Sequence, residues 1–111
     1  MKVQINLSKQ QTITFGHLFN YLTQIPTNTQ ENKVIRSLLV KVGLKVQKKA
    51  LDLKAQPNLF TKPKKTQFTF EYYEAYYIQK YLQIVEKMIP LCPYDGNVTL
   101  FLISTFNQKI A

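Results

Sequence analysis

Residues 66–90 read T-Q-F-T-F-E-Y-Y-E-A-Y-Y-I-Q-K-Y-L-Q-I-V-E-K-M-I-P, and a change of period inside them decides the fold. Thr66 to Phe70 alternate polar and apolar residues, the mark of a half-buried strand. From Phe70 the apolar positions switch to helical spacing, through Tyr73, Tyr77, Tyr81, Ile84, Val85 and Met88. Pro90 ends the run, because it supplies no backbone N–H to continue a helix. Glu71 and Glu74 fall in the first turn of this predicted helix, where negative charge complements the helix dipole.

The same order occurs upstream. Val3 to Leu7 (V-Q-I-N-L) alternate in the same way, sixty-three positions before T-Q-F-T-F. Ser8 and Gln11 form an S-x-x-Q capping box, Phe15, Leu18, Phe19, Leu22 and Ile25 follow at helical spacing, and Pro26 stops them. A second helix is expected from about Asn32 to about Leu53, with Ile35, Leu38, Leu39, Val42, Val46 and Leu53 facing inward. Gly43 weakens it by roughly 1 kcal/mol relative to alanine and permits close contact with another helix. In the tail, Val98, Leu102, Phe106 and Ile110 stand sixty-four positions after Val34, Leu38, Val42 and Val46.

The expectation is a single domain, 1–111, of the mostly α (α+β) class: a bundle of about four helices with two short strands. Half-repeats 3–53 and 66–111, each β-α-α, are joined by a basic linker, 55–65, and relate by a rough twofold axis that pairs the strands. The alternative is two amphipathic hairpins that look alike because all such hairpins do. Residues 97–106 are open between helix and strand, since V-T-L-F-L-I could follow the D-G turn as a buried strand.

Charge is distributed unevenly. Between Lys33 and Lys65 stand ten basic residues against Asp52 alone, and ten minus one is the whole net charge of +9. On the second predicted helix Lys41, Lys45 and Lys48 share one flank, continued by Lys62, Lys64 and Lys65 in the linker. These six are the candidate phosphate contacts if the partner is a nucleic acid. The window holds one Arg, the residue better suited to bidentate phosphate and base recognition, and no nucleic-acid-binding motif accompanies it. A solvated lysine face and an acidic protein partner are the competing readings.

Catalysis is not expected. His17 is the only histidine and Cys92 the only cysteine, without an orienting group or oxyanion donors in sight. Three scattered glycines build no phosphate-cradling loop, and no metal or cofactor is called for. No apolar run approaches the roughly 20 residues that span a bilayer. The N-terminal MKVQINLSKQQ lacks the continuous apolar stretch of a signal peptide. A reducing interior is the expected setting, with neither membrane nor small-molecule substrate as partner.

A surplus of apolar surface is the more informative signal. Val40, Leu44 and Leu51 lie within about 40° of one another on the helical wheel, opposite Ile35, Leu39 and Val42. A helix facing water there would normally be polar. The third helix repeats the theme, its apolar stripe widening through Ile78, Leu82 and Ile89, with Tyr72 and Tyr76 outside the stripe. Either the rest of the chain covers these positions, or Val40, Leu44, Leu51, Tyr72 and Tyr76 are anchors for a protein partner or a second copy.

The cadence I-N-L-S…I-P-T-N-T-Q-E-N-K-V-I-R-S-L-L and the segment F-E-Y-Y-E-A-Y-Y-I-Q-K-Y-L resemble small uncharacterised proteins of crAss-like phages of gut Bacteroidota. The resemblance implies a phage origin, a place in or on the virion or in the bacterial host cytoplasm, and no particular functional residue. The expected function is a non-catalytic interaction or structural accessory subunit of a larger assembly. The alternative is a nucleic-acid-binding or packaging accessory protein using the basic helix and linker.

Overall fold

A computed structural model describes residues 2–26, 28–55 and 65–110. Strand β1 (Lys2–Leu7) leads into helix α1 (Lys9–Leu18), a 3₁₀ segment (Phe19–Gln24) and helix α2 (Gln30–Ala55). Strand β2 (Thr66–Glu71) leads into α3 (Tyr72–Met88) and α4 (Pro93–Ile110). The mostly helical bundle with two short strands is therefore the observed architecture.

The strands pair antiparallel, Lys2 opposite Glu71 through Leu7 opposite Thr66. Alternation sends Val3, Ile5, Leu7, Thr66, Phe68 and Phe70 into the core and leaves Lys2, Gln4, Asn6 and Gln67 outside. The helices cover the inner face in a ring, each packed on two others in the cyclic order α1–α2–α3–α4. Phe15 sits at the centre, its ring 5.2 Å from Phe19, 5.9 Å from Phe68 and 6.2 Å from Phe106. Tilted and edge-on pairs of this kind contribute about 0.5–1.5 kcal/mol each beyond their burial.

The two β-α-α halves meet in contacts between residues sixty-three positions apart. Ile5 pairs with its counterpart Phe68. The Gln67 side chain donates to Gln4 Oε1 at 3.1 Å, and the Tyr81 hydroxyl donates to the Leu18 carbonyl at 2.5 Å. The helix starts correspond as well. Gln11 Oε1 accepts from the Ser8 N–H at 2.9 Å, and Glu74 Oε1 accepts from the Glu71 N–H at 2.8 Å. Each satisfies a free donor that every helix start leaves over.

Three details differ from the sequence-based expectation, and a fourth resolves what the sequence left open. The tail repeats at sixty-three rather than sixty-four: Val34 is 41% exposed, whereas Ile35 and Leu39 are buried like Val98 and Leu102. Steps of four hold several rows on a helix, and only the neighbours decide which row faces in. On α2, Leu38 and Leu53 are half-buried, and Ala50 is buried beside the row of Ile35, Leu39, Val42 and Val46. On α3 the inward face is Ala75, Ile78, Tyr81, Leu82 and Val85, while Tyr73 and Met88 are exposed. Ile78 and Leu82 are thus core, not surplus, because α3 is flanked by both α2 and α4. Finally, residues 97–106 are helical. Asp95 and Gly96 sit in the first turn of α4, where the Gly96 N–H donates to the Cys92 carbonyl at 2.9 Å, and Pro93 occupies a first-turn position that needs no N–H.

Candidate interaction surface

The inner side of α2 is seated through two glycines. A Cβ on Gly43 would come 2.9 Å from Phe19 Cδ1, and one on Gly16 would come 2.8 Å from Ala50 Cβ. Such spacings are shorter than side chains tolerate, so α1 and the 3₁₀ segment lie closer to α2 than any larger residue would allow. Gln47 fixes the same junction, its amide donating to the Gly16 carbonyl at 3.3 Å and to Asn20 Oδ1 at 2.9 Å.

With that side committed, the opposite side is left to solvent. Val40, Leu44 and Leu51 are 49%, 62% and 65% exposed. The remaining segments of the chain that are described do not cover them. Covering each leucine fully would contribute roughly 1–2 kcal/mol. Leu51 also forms part of an open groove of about 260 Å³ between α1 and α2, walled by Ile13, Gly16, His17, Asn20, Gln47, Ala50 and Lys54. Sequence reading did not find this groove, since Ile13 and His17 gain meaning only from the α1–α2 approach.

The lysines border the stripe. Lys41, Lys45, Lys48 and Lys49 are all exposed. Lys45 is engaged: its ammonium donates to the Thr69 carbonyl at 2.9 Å and lies 5.2 Å from the centre of the Phe70 ring. It satisfies the outer edge of β2, a structural use that competes with phosphate contact. Lys48 and Lys49 surround a shallow depression of about 230 Å³ with Lys45, Asp52, Gln67 and Phe68. Among the described residues the one ion pair is Lys2 with Glu71, at 3.9 Å. Lys41, Lys48 and Lys49 therefore keep unneutralised charge. Lys65 is exposed ahead of β2, whereas Lys62 and Lys64 lie outside the described residues.

Tyr72 and Tyr76 stand apart from the α2 stripe, on the outer side of α3, and no hydrogen bond or ring contact among the described residues joins the two groups. The Tyr72 hydroxyl donates to the Ile110 carbonyl at 2.8 Å, capping the end of α4. Tyr76 meets Tyr77 edge-on at 5.3 Å and carries Lys80 Nζ 5.4 Å from its ring centre. The five expected anchors are all accessible, three on α2 and two on α3. Leu100 and Phe101 on α4 and Tyr94 ahead of them are exposed too, and sequence reading had not singled them out.

His17 faces the groove, its Nδ1 3.3 Å from the Asn20 amide, and Cys92 is exposed ahead of α4. No hydrogen bond among the described residues links them. Burial, with the neighbouring Tyr21 adding to it, pushes the Tyr81 phenol well above the ordinary tyrosine range. No described helix is long and apolar enough to cross a membrane. Comparison with protein-family models, curated proteins and solved structures returns no match.

Proposed function

We propose that this protein is a non-catalytic interaction subunit, which presents the outer side of α2 to another protein within a larger assembly. One observation carries the reading: α2 holds Val40, Leu44 and Leu51 in the open while its other side is fully occupied by the core. Large apolar side chains grouped on one face and rimmed by cations are the composition of a docking patch. A place in a phage particle or in the bacterial host cytoplasm follows from the resemblance of I-N-L-S…I-P-T-N-T-Q-E-N-K and F-E-Y-Y-E-A-Y-Y to phage proteins. Light scattering on the protein alone and co-expressed with the products of adjacent genes tests this. Assembly that disappears in Leu44→Glu supports it, and a strict monomer that retains no partner overturns it.

A second reading rests on the lysines around the depression beside Phe68, which Asp52 also lines and which form no ion pair among the described residues. In that reading Lys41, Lys48, Lys49 and Lys65 contact nucleic-acid phosphates. Affinity for random DNA that falls steeply with salt supports it, and affinity insensitive to salt overturns it.

A further inference from the structure

The outer side of α2 has a seam with a recognisable order. Val40, Leu44, Gln47 and Leu51 follow one another at alternating steps of four and three, the spacing by which one helix receives another, with Gln47 half-buried at the inner margin and bonded to Gly16 and Asn20. One flank of the seam is cationic: Lys41 and Lys48 each stand one residue beyond a seam position, both exposed and neither in an ion pair among the described residues. The other flank carries Lys54 at its far end. It opens into the groove between α1 and α2, so a rod seated on Leu51 would be cradled on that side by Ile13.

We infer that this seam receives an amphipathic α-helix of a partner protein, one with an apolar row against Val40, Leu44 and Leu51 and carboxylates against Lys41 and Lys48. The inference rests on the interaction reading above and gives the partner its chemistry. A second copy of this chain is a poor occupant, because a twofold pairing of two such seams would face lysines with lysines, a like-charge arrangement that costs binding. A nucleic acid is a poor occupant as well, because three exposed apolar side chains would sit against phosphates. An apolar row set in a groove and flanked by charge matches the way amphipathic helices are bound.

Two synthetic peptides of about three heptads decide the matter, both with leucine at a and d, one with glutamate and the other with lysine at e and g. Titration is followed by fluorescence anisotropy and by amide shifts in the full chain. The acidic peptide is expected to bind, to shift resonances around Val40, Leu44 and Leu51, and to weaken about tenfold between about 0.05 M and 0.5 M salt. Leu44→Glu should reduce affinity at least about tenfold with an unchanged unfolding midpoint. The double variant K41E/K48E should prefer the basic peptide. Equal binding of both peptides, or shifts confined to α3 and α4, overturns the inference. So does random duplex DNA that occupies the lysine flank while Leu44→Glu leaves its affinity untouched. If the acidic peptide fails while light scattering shows Leu44-dependent assembly, the partner chemistry is wrong and the interaction reading stands. If both fail, both readings fall.

Discussion

Helices α2 and α4 each close a β-α-α run of the chain, alike where they face the core and unlike where they face away. Inward, Ile35 and Leu39 of α2 correspond to Val98 and Leu102 of α4, all buried. Outward, the pattern breaks. Leu44 corresponds to Asn107, whose side chain accepts from the Gln79 amide at 3.1 Å. Lys41 and Lys45 correspond to Ser104 and Gln108. The inward rows match because each of these helices is packed between two others in the ring. The outer sides are free of that demand, and there the two helices differ.

Tests of that contrast run from large to small. Leu39→Ala and Leu102→Ala, both at fully buried counterpart positions, should each cost about 2–5 kcal/mol in urea unfolding. Costs that differ by more than the usual spread would break the equivalence of the inner faces. Tyr81→Phe removes the hydrogen bond to the Leu18 carbonyl between the two halves and should cost about 1–2 kcal/mol.

Tyr81 also sets a pH dependence. Its proton is held more tightly in the folded chain than in the unfolded one, so its contribution is complete below pH ~10 and declines as pH rises beyond it. Unfolding midpoints followed from neutral pH to above pH ~10 should fall for the native chain, and fall less for Tyr81→Phe.

The glycines divide by half. Gly16→Ala must push on Ala50 and should lose about 1 kcal/mol, clash outweighing helix propensity, whereas Gly96→Ala in α4 meets nothing within 4 Å and should gain about 0.5–1 kcal/mol. Opposite signs in thermal unfolding are the expected outcome. Smallest of all, Leu44→Glu should move stability by no more than about 0.5 kcal/mol, because the side chain lies mostly in solvent. A large loss there would mean that Leu44 supports the monomer, and would remove the contrast between the inner and outer sides of α2.

Much of this was legible in residue order. The shift from period two to helical spacing at Phe70, the capping pair of Ser8 and Gln11 and the stops at Pro26 and Pro90 act within a few residues, so they read directly. The candidate site was legible in part. Val40, Leu44 and Leu51 oppose the core row on the wheel and are exposed as expected, but Tyr72 turned out to cap α4 and Lys45 to close the edge of β2. Both partners lie far along the chain, at Ile110 and Thr69, and no local pattern announces them.

Sequence alone determined the two strands, the cap at Ser8 and the stop at Pro90, and that the net positive charge is confined to residues 33–65. These depend on backbone chemistry and composition, which need no neighbours. Tertiary structure decided which of two apolar rows on α3 turned inward, that residues 97–106 are helix, and that no described residue covers the outer leucines of α2. Burial is a relation between surfaces: a row of apolar side chains becomes core or contact face only once the ring of helices has closed around one side of it.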